Sequence, residues 1–129
     1  MEVLSSRVLL RPTDAGASHR FYGDVLGLAI FREFGAGEHR GVVYFLGGGF
    51  LEVSGQASTP PGPNLRLWLQ VRDLDAVHAD LTARGATILR PPVDEPWGLR
   101  EMWVADPDGV EIAVIEVPET HPLRRRPEE

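Results

Sequence analysis

The segment DPDGVEIAVIEV, residues 106–117, places carboxylates at both ends of a run of Val and Ile. Carboxylates that converge on one point bind divalent metals, so this segment belongs either to a metal site or only to a core. Its first four residues, DPDG, have the composition of a tight turn, and the apolar residues after them predict a strand. These residues alone leave both interpretations open.

The composition excludes several kinds of chemistry. The chain has no cysteine, and all 13 of its basic residues are Arg, so thiol nucleophiles, cysteine-ligated zinc and Schiff bases are excluded. The net charge of −6 argues against nucleic acid as a partner, because phosphate binding requires a basic surface. The sequence contains no nucleophile elbow and no phosphate-binding loop, so any enzymatic step would be acid–base catalysis.

Three tryptophans are candidates for stacking on a planar ligand. Trp68 shares a strand face with Arg66 and Gln70 by the two-residue period of a strand. Trp97 lies in the loop EPWGLRE, and Trp103 lies in the strand that follows this loop. The alternative for Trp68 is a place in the core, and the alternative for Trp97 is a loop anchor folded back on the sheet.

Two stretches that surround these residues, 7–28 and 66–87, share one plan. Each begins with an Arg and an apolar run, has an Asp seven residues after that Arg, and continues with helical periodicity to a Gly. The Asp predicts an N-cap, because its carboxylate accepts unpaired N–H groups of the first turn, and the Gly suits the left-handed position after a helix. The histidines on these two helices, His19 and His78, are expected at the surface.

Strand-like runs follow both helices, so each half is predicted to be a β-α-β-β-β module. We expect one domain with module one at 3–54, a Pro/Gly-rich linker at 55–64, module two at 65–117 and a polar tail at 118–129. The alternative is a single α+β sandwich in which the two stretches match by chance. No signal peptide and no membrane-spanning stretch is visible, which predicts a cytoplasmic protein.

Three segments resemble the vicinal oxygen chelate superfamily, which includes glyoxalases, bleomycin-resistance proteins and extradiol dioxygenases: FYGDVLGLAIF (21–31), DLDAVHADLTARGATILRPP (73–92) and DPDGVEIAVIE (106–116). The segment EPWGLREMWVADPDG (95–109) is most similar to the bleomycin-resistance branch. The resemblance implies an α+β fold in which two tandem βαβββ modules form a curled sheet with a cleft, with the helices outside. It also implies a homodimer whose clefts are built from both subunits.

The resemblance further implies four metal-ligand positions on the first and last strands of the two modules. In this sequence those positions hold Arg7, Glu52, Arg66 and Ala113. A guanidinium stays protonated and has no lone pair for a metal, and alanine has no donor atom. We therefore predict that the metal site is absent and that no cofactor is bound. A different ligand set stays open, rebuilt from His39, Glu101 or Glu111.

The function implied by the resemblance is metal-free binding of a small molecule, with an aromatic or anionic compound sequestered in a cleft at the dimer interface. The ligand-binding residues would be Arg7, Glu52, Arg66, Trp68, Trp97 and Trp103. One alternative is a structural ion-pair cluster of the Arg and Glu side chains, without a ligand. Another is a lyase, isomerase or dioxygenase of the same superfamily that uses Glu52 as its catalytic base or a rebuilt metal site.

Overall fold

The computed structural model describes residues 1–124, so the last five residues of the predicted tail, 125–129, lie outside the described residues. The chain divides into two compact units. The first contains Met1–Leu65 and Asp106–Val110, and the second contains Arg66–Ala105 and the described residues from Glu111 to Arg124. None of the helices in the described part of the chain is long and apolar enough to cross a membrane.

The first unit contains a four-stranded sheet in the order β1-β4-β3-β2, with α1 on one face. The elements are β1 (Arg7–Leu10), α1 (Ala15–His19), β2 (Ile30–Phe34), β3 (Gly41–Leu46) and β4 (Gly49–Val53). β1 runs parallel to β4, and the other neighbouring strands are antiparallel. The helix-bearing face is buried and includes Val42, Tyr44, Leu51 and Val53.

The first helix starts where the sequence predicts and then changes its winding. Asp14 is the N-cap, and its Oδ1 accepts the N–H of Ala17 at 3.0 Å. After α1 the helix continues as a π-helical stretch, Arg20–Val25, in which the N–H of Leu26 reaches the carbonyl of Phe21 at 2.8 Å. This wider stretch buries both Phe21 and Tyr22, two adjacent rings that a regular helix would place about 100° apart.

The second unit repeats this arrangement in a sheet of order β5-β8-β7-β6. Its elements are β5 (Arg66–Val71), α2 (Leu74–Ala83), β6 (Thr87–Asp94), β7 (Arg100–Ala105) and β8 (Glu111–Glu116). Asp73 caps α2 by accepting the N–H of Ala76 at 3.1 Å, and Gly85 follows the helix with φ of 79°. Both modules therefore have the predicted β-α-β-β-β order, and the α+β fold class is confirmed.

The position of α2 distinguishes the two faces of the second sheet. Glu116 accepts the N–H of Leu74 at 2.9 Å, and Arg100 donates to Asp75 at 2.6 Å, so α2 lies on the face to which Glu116 and Arg100 belong. Successive strand residues alternate between faces. Trp103 and Ala113 consequently project from the opposite face, which α2 does not cover.

Candidate functional site

A row of four side chains crosses the helix-free face of the second sheet. Trp68 pairs in register with Ala113, Ala113 with Trp103, and Trp103 with Arg90. Residues paired in this way lie on the same face of a sheet. The row therefore brings together two of the predicted ligand-binding residues, Trp68 and Trp103, with the small side chain of Ala113 between them.

The spacing of strands in a sheet leaves room for a planar group between the backbones of Trp68 and Trp103. Neighbouring strands lie about 4.8 Å apart, so the backbones of Trp68 and Trp103 are separated by about 10 Å, with only a methyl group as the floor. Stacked aromatic centroids lie about 4.5–7 Å apart, so one inserted ring can contact both indoles. We call this space the Trp68–Trp103 slot.

One wall of the slot is held in place and the other is exposed. The guanidinium carbon of Arg90 lies 3.7 Å from the ring centroid of Trp103, and that of Arg66 lies 5.4 Å from it. Trp103 also packs against a buried cluster formed by Leu99, Ala113, Ile115 and Val117. Trp68, in contrast, is 52% exposed, which is unusual for a tryptophan in the middle of a strand.

Each of the two Arg residues at the slot has a carboxylate partner. Arg66 lies 2.9 Å from Glu111, and its side chain is 58% exposed. Arg90 forms an ion pair with Glu95, whose side chain is largely buried. A guanidinium has five N–H donors, so the exposed Arg66 retains donors for an anionic group of a ligand.

Trp97 is exposed but tethered. Its side chain is 58% exposed, and its indole N–H donates to the buried carboxylate of Glu101 at 2.6 Å. Its carbonyl oxygen lies 3.1 Å from Nε2 of His121. The structure thus positions Trp97 through its polar atoms and leaves the ring accessible.

Arg7 and Glu52 form an ion pair in the first unit, with 2.8 Å between Nη1 and Oε1. The hydroxyl of Ser54 donates to the other carboxylate oxygen of Glu52 at 2.7 Å. The hydrogen bond from Ser54, which has the larger effect, and that from Arg7 hold the pKa of Glu52 below its usual range. Both oxygens are occupied and the pKa is lowered, so Glu52 is a weak base. That Arg66 lies in one cavity with Arg7 and Glu52 stays a prediction.

The register reveals a pair of residues that the sequence analysis missed. In the first sheet Leu9, Glu52, Val43 and Arg32 form the row that corresponds to Trp68, Ala113, Trp103 and Arg90. Arg32 and Arg90 are therefore equivalent. The signal was present in the sequence, since each Arg follows the helix-ending Gly27 or Gly85 by five residues.

The alternative metal ligands lie in separate settings. Glu101 binds the indole of Trp97, Glu111 lies against Arg66, and His39 is exposed in a short turn, Gly37–His39. Within residues 1–124 no group of three or more His, Asp or Glu side chains is arranged to hold a metal ion. The side chains at the four positions implied by the resemblance also do not fit a metal, because two are Arg and one is Ala.

Comparison with known proteins adds a family and several similar structures. The family model described as Glyoxalase/Bleomycin resistance protein/Dioxygenase superfamily matches residues 5–114. A comparison with curated protein sequences gave no significant match.

Three solved structures illustrate the similarity, each at 26% sequence identity. A superfamily member from Sphaerobacter thermophilus has a TM-score of 0.70 over 89% of this chain and 98% of its own. TioX from Micromonospora sp. ML1 has a TM-score of 0.74 over 90% and 100% of the two chains. TnmS3 from Streptomyces sp. CB03234, described as an antibiotic binding protein, has a TM-score of 0.73 over 91% and 98%.

Proposed function

The chain belongs to the glyoxalase/bleomycin resistance protein/dioxygenase superfamily, and from this premise we propose that it sequesters a planar aromatic anion without a metal ion. The ligand ring lies in the Trp68–Trp103 slot, and its anionic group binds Arg66. The observation that carries the proposal is the register Trp68–Ala113–Trp103, in which only an alanine separates two tryptophans on one face of the sheet.

The slot supports binding of an aromatic ring because one of its walls, Trp103, is already in position. Trp103 lies against the guanidinium group of Arg90 and packs against a buried apolar cluster, so little side-chain entropy remains to be lost at that wall. Insertion of a ring would also remove the exposed surface of Trp68 from water. The similarity to TnmS3 supports small-molecule sequestration as the general role.

Arg66 supports an anionic group on that ring. It lies on the same strand face as Trp68, two residues away, and its guanidinium is more than half exposed. The contact of Glu111 is with Nη2 of the Arg66 guanidinium group. A carboxylate or sulfonate on the ligand would bind the remaining N–H groups by charge-assisted hydrogen bonds.

We also propose that the protein is a cytoplasmic homodimer. The helix-free face of the first sheet exposes a cluster of rings in which Phe31 lies 5.3 Å from Phe45 and 4.7 Å from Phe50 between centroids. Phe31 and Phe45 remain 47% and 45% exposed, and Leu9 on the same face is 66% exposed. An apolar surface of this kind favours contact with a second copy of the chain. Sedimentation of a monomer at micromolar concentration would contradict this.

The proposal is tested by calorimetric titration with three matched probes. 2-Naphthoate has a planar ring and a charge, 2-naphthamide has the ring without the charge, and cyclohexanecarboxylate has the charge without a planar ring. We expect 2-naphthoate to bind most tightly and to be recovered unchanged. Trp68→Ala should weaken its binding at least about tenfold. Equal binding of 2-naphthoate and cyclohexanecarboxylate, or an unaltered affinity in Trp68→Ala, would overturn the proposal.

A further inference from the structure

A second cavity lies in the first unit, on the helix-bearing side of its sheet. Its volume is about 770 Å³, within the range of small-molecule sites. Its walls include His19, Arg20, Gly23, Glu38, Arg40 and Tyr44. Tyr44 pairs in register with Leu51, so it projects from the face opposite to Glu52 and its row. This cavity is distinct from the Trp68–Trp103 slot, which belongs to the second unit.

The hydrogen bonds of His19 determine which way the hydroxyl of Tyr44 points. Nε2 of His19 lies 3.1 Å from the carbonyl oxygen of Arg40, which can only accept, so Nε2 carries the proton. Burial lowers the pKa of His19, so the ring is neutral at pH 7 and Nδ1 has a free lone pair. Nδ1 lies 3.2 Å from the hydroxyl of Tyr44 and therefore accepts a hydrogen bond from it.

The oxygen of Tyr44 is consequently an acceptor toward the cavity. Its single proton is directed to His19, whether to Nδ1 or to the more distant carbonyl oxygen at 3.5 Å. The lone pairs remain available, because a phenol oxygen can accept hydrogen bonds while it donates one. A ligand that reaches this oxygen must bring a donor.

Charged side chains of both signs line the cavity. Asp24 and Glu38 are its carboxylates, and the pKa of the Tyr44 phenol is raised by burial, with the Arg40 charge opposing this and the Asp24 charge adding to it. Arg20 also lines it and makes no ion pair within residues 1–124, whereas the guanidinium of Arg40 is held by Glu33. The lining of the cavity thus combines the oxygen of Tyr44 with the guanidinium group of Arg20.

The helix wall of the cavity is the π-helical stretch. Arg20, Gly23 and Asp24 all belong to it. A π-helical turn is rare and frequently occurs at functional sites. Gly23 keeps this wall open, because a Cβ there would lie 3.5 Å from the hydroxyl of Tyr44.

We propose that this cavity binds a small zwitterion, whose ammonium group donates to the oxygen of Tyr44 and whose carboxylate binds Arg20. A free amino acid or a dipeptide is the simplest ligand of this class. The site goes beyond the proposed function, since it uses another unit of the chain and another ligand chemistry.

The test uses saturation-transfer NMR on the full chain with the twenty common amino acids and the dipeptide Ala-Ala, each at millimolar concentration. The strongest ligand is then compared with its two analogues that lack either the amine or the carboxylate. We expect binding of the zwitterion and at least tenfold weaker binding of each analogue. Arg20→Gln and Gly23→Leu should each weaken binding about tenfold or more, the first by removing the cation and the second by filling the cavity.

Two controls make the result decisive. Arg20 is exposed, so Arg20→Gln should keep the wild-type circular dichroism and tests the proposal even if Gly23→Leu fails to fold. Trp68→Ala should leave zwitterion binding unchanged, which separates this site from the slot. The proposal is overturned if no zwitterion binds, if an analogue binds as well as the zwitterion, or if Arg20→Gln retains full affinity.

Discussion

The hydroxyl of Tyr22 donates a 2.8 Å hydrogen bond to Oδ2 of Asp106, 84 residues later in the chain. The other carboxylate oxygen of Asp106 accepts the N–H groups of Asp108 and Val110, both at 2.8 Å. Asp108 in turn accepts the N–H of Thr13 at 3.0 Å. The acids of the DPDG turn therefore fasten this turn to the first unit, and they are structural groups.

Tyr22→Phe should destabilise the protein by about 1–3 kcal/mol, because it leaves a buried carboxylate oxygen without its donor. Urea unfolding measures the loss. Tyr44→Phe is the matched control, since within residues 1–124 its hydroxyl hydrogen-bonds to the half-buried His19, and its loss should be the smaller one. Equal stability of Tyr22→Phe and the wild type would contradict the structural role.

Asp106 should make the stability of the protein depend on pH. Burial raises its pKa above the ordinary value of 3.8, although hydrogen bonds from Tyr22, Val110 and Asp108 oppose this. The folded state then binds the proton more tightly than the unfolded state. The measured quantity is a difference: the free energy of unfolding of the wild type minus that of Asp106→Asn. This difference should fall as the pH rises from below 3.8 through the raised pKa. Urea unfolding at a series of pH values checks this, and a difference that rises with pH would contradict it.

Glu52 should have the opposite pH dependence. Its lowered pKa means that the folded state favours the carboxylate, so its contribution is present above the ordinary pKa of 4.5 and is lost as pH falls through the lowered value. Glu52→Gln should remove this dependence. At neutral pH the variant should lose about 1 kcal/mol or less, because the pair with Arg7 is partly exposed. Unfolding curves at low and neutral pH measure both effects, and an unchanged slope would refute them.

Ala113→Leu should block the Trp68–Trp103 slot without disturbing the helix-bearing face. The added side chain would occupy the floor between the two indoles, so binding of 2-naphthoate should weaken about tenfold or more. Ala79→Leu is the matched control, because Ala79 is exposed on α2, which lies on the opposite face of the sheet. Calorimetry on both variants is the measurement. Equal affinities would place the ligand outside the slot.

Purified, untagged protein should contain far less than one equivalent of Zn, Mn, Fe or Ni per chain. Arg7, Arg66 and Ala113 supply no donor atoms, and one carboxylate does not make a transition-metal site. Elemental analysis after incubation with each metal and gel filtration tests this. One metal per chain that survives gel filtration would contradict the metal-free proposal.

Local patterns allowed much of the fold to be predicted. Asp14 and Asp73 cap their helices as expected, because an N-cap depends only on the residues of the first turn. The change to π-helical winding at Arg20–Val25 was not predicted, because no local pattern in the sequence indicates it. His19, expected at the surface, is half-buried because it contacts Tyr44 and Arg40, which are distant from it in sequence.

The candidate site was predicted only in its components. Trp68, Trp103 and Arg66 were identified as binding residues, and Ala113 as a position without a donor. Their arrangement as a slot required the register of three strands, since a shift of one residue would move Ala113 to the other face. Arg90 was missed because its importance comes from its contact with Trp103 on the neighbouring strand.

The sequence by itself determined the two modules, their capped helices and the lack of a metal donor at three of the four implied positions, because these depend on residue type and local spacing. Only the tertiary structure decided which residues are neighbours. The DPDG turn is far from Tyr22 and Thr13 in sequence, yet its carboxylates bind both. Strand pairing is a non-local interaction. It places Ala113, which the sequence showed only as a position without a metal donor, between Trp68 and Trp103 as the floor of the slot.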